Sequence, residues 1–162
     1  ITMPRKAKFY RLRNGRARGS GRIYLITITC HGRQAHFATL QSGRCFVQAL
    51  RATRAHAVTL GYVVMPDHIH WLLVLREHAD LATTVQKAKS VATQRWRRAG
   101  RGGNERLWHV GFHERALRRQ DDLAAMARYI VANPLRAGLV DFLGDYPHWD
   151  CAWPPENLIQ EK

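Results

Sequence analysis

His68-Ile69-His70 is the first stretch of this sequence whose residue types and spacing could do chemistry. In a strand, residues two apart project from one face, so both imidazoles can converge on a single ion while Ile69 turns into the core. Each ring carries two nitrogens that need partners when buried, and the side chains of the neighbouring Val63, Val64, Leu72 and Leu73 offer none. A metal pair is therefore favoured over two surface-facing rings, and imidazole ligands suit Mn²⁺ or Zn²⁺ better than Mg²⁺. His109 and His113 form a competing pair, sharing a face on a strand or a zinc-like spacing on a helix. No Glu or third His stands at a spacing that completes it, so exposed histidines in a basic groove are the simpler reading there.

The second candidate is Tyr129-Ile130-Val131-Ala132-Asn133-Pro134. On a helix Tyr129 and Asn133 are i and i+4, one above the other, and present a phenol and an amide oxygen to the same place. An amide oxygen is a hard ligand that could complete a site begun by the histidines. Periodicity alone leaves a plainer alternative, in which Tyr129 packs in the core and Asn133 ends the helix before proline.

These groups need a frame to position them. Arg22 to Cys30 is a β-branched and aromatic run that predicts a strand. A helix follows from about Ser42, with Phe46, Leu50 and then Ala57 and Leu60 facing inward. Gly61 to Met65 and His68 to Leu75 predict an antiparallel hairpin about the turn pair Pro66-Asp67. Asp80 caps a helix whose apolar positions Leu81, Val85, Ala88, Ala92 and Trp96 recur at helical spacing. Leu107 to Leu117 reads as a fourth strand, and Asp121 or Asp122 opens a last helix through Ala124, Ala127, Ile130 and Val131 that Pro134 ends. This order predicts an α+β, ferredoxin-like fold: a four-stranded antiparallel sheet with helices packed on one face, the histidine pair on a central strand and the tyrosine on a C-terminal helix.

Charge points to the partner. The chain of 162 residues carries 26 Lys and Arg against 12 Asp and Glu, a net +14, and has no acid before Asp67. A polyanion such as nucleic acid is the natural counterpart. Residues 1–21 read as a basic arm carrying Arg5, Lys6, Lys8, Arg11, Arg13, Arg16 and Arg18; 22–150 as one domain; 151–162 as a tail. Arg22, Lys87, Lys89, Arg95, Arg97, Arg98 and Arg101 are further candidate DNA contacts, the last four where a helix dissolves into glycines. The alternative for that helix end is a solvated terminus whose cations complement the dipole. No apolar run is long enough to span a bilayer. Cys30, Cys45 and Cys151 lack any Cys-x-x-Cys spacing, and with an Arg-rich start they suggest a reduced, cytoplasmic protein.

The string Met65-Pro66-Asp67-His68-Ile69-His70-Trp71-Leu72-Leu73-Val74 precedes Tyr129-Ile130-Val131-Ala132-Asn133-Pro134-Leu135-Arg136-Ala137-Gly138-Leu139-Val140 by some sixty residues. Together they resemble the REP-associated tyrosine transposases, relatives of the single-tyrosine transposases of small bacterial insertion sequences. The resemblance covers about residues 22–150. It implies a histidine-hydrophobic-histidine (HUH) motif, His68 and His70, holding a catalytic divalent cation, Mg²⁺ or Mn²⁺, with no nucleotide cofactor. It implies Tyr129 as nucleophile, Asn133 as polar metal ligand and a bacterial single-stranded, folded-back hairpin DNA as substrate, cut and rejoined through a 5′-phosphotyrosine. A monomer is implied by this group, a dimer by the insertion-sequence relatives. Relatives often carry Asn where Asp67 stands here, which alters only the expected turn chemistry.

Two readings of other classes compete. A non-catalytic module binding single strands on a ferredoxin-like sheet is one, although no RNP-type aromatic motif is present. A zinc hydrolase built on His68, His70, His109 and His113 is the other, and no ligand spacing supports it. The terminal segment, where Trp149 and Trp153 accompany acids, either folds back over the DNA site or is a passive end.

Overall fold

Ile26 and Ile28 alternate with Thr27 and Thr29, and Ile69, Trp71 and Leu73 alternate with His68, His70 and Leu72, so each strand divides its side chains between two faces. The computed structural model describes residues 21–118 and 123–152. In chain order these residues form β1 (Ile23–Thr29), α1 (Leu40–Ala52), β2 (Ala57–Val64), β3 (His68–Leu75), α2 (Leu81–Arg98), β4 (His113–Ala116), α3 (Leu123–Val131), α4 (Asn133–Arg136) and β5 (Trp149–Cys151). The basic arm residues Arg5, Lys6, Lys8, Arg11, Arg13, Arg16 and Arg18, the helix-opening Asp121 and Asp122, and Trp153 onward lie outside the described residues.

The sheet is antiparallel, in the order β4-β1-β3-β2-β5. Its first six elements follow the ferredoxin-like plan, with β3, the histidine strand, at the centre. Two expectations are corrected. There are five strands instead of four, because Trp149–Cys151 pairs with the outer edge of β2. The helices also do not share one face. Cluster one packs α1 and α2, through Phe46, Ala49, Val85, Ala88 and Trp96, against Ile26, Ile28, Ile69, Trp71 and Leu73. Cluster two lies on the opposite face, where Ala127, Ile130 and Val131 of α3 meet Leu60, Val63, Met65 and Leu72.

Local chemistry sets the boundaries. Thr39 and Ser42 form a reciprocal capping box at the start of α1, and Asp80 accepts the Thr83 N–H at 2.8 Å to start α2. The helix α1 stops at Ala52, where Thr53 returns its hydroxyl to the Leu50 carbonyl at 2.8 Å. Ala57 and Leu60, expected on that helix, therefore belong to β2. The fourth strand is shorter than expected: Trp108 makes an isolated bridge to Cys30, and regular pairing begins only at His113. Gly43 serves space, since a Cβ there would run into the buried His148 ring just before β5. No helix among the described residues is long and apolar enough to cross a membrane.

Candidate active site

One cross-strand row runs through the whole sheet on the face that carries α3. Pairwise, His113 opposes Thr27, Thr27 opposes His70, His70 opposes Val63, and Val63 opposes Trp149. Directly opposed residues of antiparallel strands share a face. The next row pairs Thr29 with His68. The two histidines thus stand side by side on the central strand, ring centroids 4.9 Å apart and planes inclined by 79°.

Each ring is oriented by a second contact. His68 Nδ1 lies 2.7 Å from Asp67 Oδ1, and because a carboxylate can only accept, Nδ1 donates and Nε2 is the ring nitrogen left for a ligand. His70 Nδ1 lies 2.9 Å from the Thr27 hydroxyl, which can accept in the same way. Arg33 Nη1 reaches Asp67 Oδ2 at 3.4 Å. Burial raises the Asp67 pKa, but the hydrogen bond and charge of His68 and the charge of Arg33 outweigh it, leaving the carboxyl below the ordinary range. Asp67 therefore does more than make the expected turn. Burial, followed by the charges of His68 and Arg136, pushes the His70 imidazole down to about 4, so it is neutral at neutral pH. Two neutral-capable imidazoles with fixed Nδ1 partners are a donor set that fits a divalent ion of the Mn²⁺ or Zn²⁺ kind.

Tyr129 stands off the apolar stripe of α3. Ala127, Ile130 and Val131 are buried, whereas Tyr129 is 57% exposed, so it is not a core residue. Asn133 does not continue its helix: α3 ends at Val131 and Asn133 begins α4, with Pro134 in the first turn. Pro134 has no N–H to give the Ile130 carbonyl, and the Asn133 side-chain amide supplies one instead at 2.8 Å. That use of the NH₂ leaves the side-chain oxygen as the Asn133 atom that could ligate.

The turn after Tyr129 also brings a residue that periodicity did not single out. Arg136 places its guanidinium carbon 4.1 Å from the Tyr129 ring centroid, and its Nη2 donates to the Tyr129 carbonyl at 2.9 Å. Gly138, at φ 66°, lets Leu139 N–H reach the Pro134 carbonyl at 2.9 Å and Gly138 N–H reach Leu135 at 3.0 Å. This glycine-terminated cap fixes the short helix on which Arg136 rides. Proline followed four residues later by glycine was the available signal.

The competing pair falls on two different pieces of backbone. His113 starts β4 and His109 lies in the preceding loop, both exposed. Among the described residues no group of three or more His, Cys, Asp or Glu side chains could hold a metal ion. His109 instead lines a groove of about 520 Å³ between α2 and residues 106–111, together with Lys89, Arg97 and Arg106. Lys89, expected as a DNA contact, is mostly buried and donates to the His109 and Gly111 carbonyls at 3.2 and 3.0 Å. Arg95 and Arg101 bond to Gln48 and Gln41 of α1 at 2.9 and 3.3 Å. Arg22, Lys87, Arg97 and Arg98 are exposed.

Residues 24–133 match the family described as "Transposase IS200 like", a span that contains both histidines, Tyr129 and Asn133. A protein of Haemophilus influenzae, provisionally described as a REP-associated tyrosine transposase, is 29% identical over 139 residues, covering 79% of this chain and 78% of its own. A REP-associated tyrosine transposase of Escherichia coli K12 is 26% identical over 132 residues, covering 78% and 74%. Among solved structures, a REP-associated tyrosine transposase bound to a REP hairpin shares the fold at a TM-score of 0.63 and 22% identity, over 84% of this chain and 80% of that one. A second, a protein of Deinococcus radiodurans provisionally described as a transposase, gives 0.53 and 17%, over 83% and 98%. With the family match spanning most of the chain and enclosing the histidine strand and the tyrosine helix, this protein belongs to the IS200-like transposase family.

Proposed function

We propose that this transposase cuts and rejoins single-stranded, folded-back DNA by transesterification at Tyr129. The observation that carries the reading is the pair of oriented imidazoles on the sheet face that α3 covers, with the exposed Tyr129 carried on α3 itself. The Tyr129 phenol oxygen forms a bond to phosphorus and the bond from phosphorus to the 3′ oxygen breaks. The phenol gives up its proton and the departing oxygen ends as a 3′-hydroxyl, so the DNA stays attached by its 5′ phosphate. Attack by a 3′-hydroxyl reverses the step at similar energy, and no nucleotide cofactor is required.

His68 and His70 would hold a divalent cation through Nε2, and the Asn133 side-chain oxygen is the further ligand we assign to it. When bound, that ion supplies positive charge for the non-bridging phosphate oxygens. Asp67 and Thr27 keep the imidazoles aimed, and burial keeps His70 neutral and therefore able to ligate. The solved relative bound to a hairpin supports a hairpin as the substrate here, and we take the protein to act as a monomer.

The test uses a pool of 3′-labelled single-stranded hairpins, randomised around the stem foot, with Mn²⁺. A labelled covalent adduct that survives denaturant is expected. Tyr129→Phe should abolish it while retaining hairpin binding, and His68→Ala or His70→Ala should abolish its metal-dependent formation. An adduct persisting in Tyr129→Phe would overturn the reading, and binding without any adduct would favour the non-catalytic module.

A further inference from the structure

The Arg136 guanidinium lies against Tyr129 at both its ring and its main chain. It stacks on the Tyr129 ring, is tied to the Tyr129 carbonyl, and is a charge that the His70 imidazole feels. A surface cation–π pair by itself contributes only about 0.5–1 kcal/mol. That is a weak reason to build a proline-started, glycine-capped helix around one arginine. Arg136 has five N–H donors, and among the described residues Tyr129 O is the acceptor that engages it. Its remaining donors are on an exposed side chain beside the phenol.

We propose that Arg136 clamps the scissile phosphate: stacked on Tyr129, it hydrogen-bonds a non-bridging phosphate oxygen and so aligns ring and phosphorus at once. The inference rests on the strand-transfer reading above. As the Tyr129 oxygen bonds to phosphorus and the 3′ oxygen leaves, negative charge builds on the non-bridging oxygens. A planar guanidinium presents two parallel donors to such oxygens, a geometry that an ammonium lacks. Because the charge develops equally in cleavage and rejoining, Arg136 serves both directions.

The test compares wild type, Arg136→Ala, Arg136→Gln and Arg136→Lys on the hairpin selected above, at saturating Mn²⁺. Each is assayed with the natural scissile phosphodiester and with a methylphosphonate, in which an uncharged methyl replaces one non-bridging oxygen. On the phosphodiester, Arg136→Ala and Arg136→Gln should form adduct about 100-fold more slowly, as when one oxyanion donor is removed, with hairpin Kd unchanged within about threefold. Arg136→Lys should lose about 10-fold, keeping charge without the fork. On the methylphosphonate isomer that lacks the clamped oxygen, wild type and Arg136→Ala should differ by less than about threefold.

Equal rates for wild type and Arg136→Ala on the phosphodiester would overturn the clamp. So would an undiminished loss on both methylphosphonate isomers, which would assign Arg136 to ring packing alone. Arg136→Gln keeps a donor for the Tyr129 carbonyl, so the comparison stands if Arg136→Ala folds poorly. Absence of adduct with wild type would instead defeat the strand-transfer reading and this inference with it.

Discussion

Asp67→Ala should weaken divalent-metal binding without disturbing the hairpin turn. The carboxylate accepts from His68 at 2.7 Å, and its side chain is 29% exposed. A hydrogen bond to a charged group contributes about 1.5–3 kcal/mol, and partial solvent screening places this one toward the lower end. At about 1.4 kcal/mol per factor of ten, its loss should weaken metal affinity by roughly 10-fold, within the 10–100-fold range typical of groups that orient a ligand. The turn survives because the Asp67 main-chain carbonyl, not its side chain, accepts the Cys30 N–H at 2.9 Å. Asp67→Asn keeps an acceptor but no charge, and a neutral bond is about half as strong. Its loss should therefore be only about threefold. Free Mn²⁺ followed by electron paramagnetic resonance during titration of the three proteins reads the affinities directly. Equal affinities for wild type and Asp67→Ala, or an Asn variant as weak as the Ala variant, would refute the orienting role.

Ile130→Ala, next to the exposed tyrosine in sequence, truncates a fully buried side chain of cluster two and should cost about 2–5 kcal/mol. Hydrogen exchange should quicken most in α3 and β2, and an even loss across β1 and α2 would contradict the two-cluster description. Gly43→Ala should destabilise by about 1–3 kcal/mol, because its methyl displaces the His148 ring; an unchanged melting temperature would show that the ring has room to move. Burial, followed by the charge of Asp67, raises the Cys30 thiol to about 12. At pH 8 it should be roughly a thousandfold poorer in thiolate than an ordinary cysteine, so disulfide reagents should modify it only after unfolding. Uniform reaction of all three thiols in the native protein would count against this.

The histidine strand was legible because alternation at period two is written into His68-Ile69-His70-Trp71-Leu72-Leu73 and holds in the sheet. Asp80 and the Pro66-Asp67 turn were legible for the same reason: their effect reaches only a few residues along the chain. What escaped depends on distant pairing. Trp149–Cys151 is a strand only because β2 lies beside it. The apolar stripe Ala127, Ile130 and Val131 says that α3 must be covered, but not which side of a sheet covers it. Thr27 orients His70 from a strand forty-three residues away, and nothing in its own neighbourhood marks it. Arg136 needed the Pro134 and Gly138 boundaries to be read as a fold-back that returns the chain to Tyr129.

Because α3 lies across the sheet from α1 and α2, the candidate nucleophile and the candidate ligand pair belong to different layers. The βαββαβ layer has its own packed interior, whereas α3 is nine residues held largely by three buried side chains. Local opening free energies follow such differences in packing. Opening of the seam between α3 and the sheet is therefore expected at a lower free energy than opening of the βαββαβ layer, and it would carry Tyr129 away while leaving the histidine strand paired.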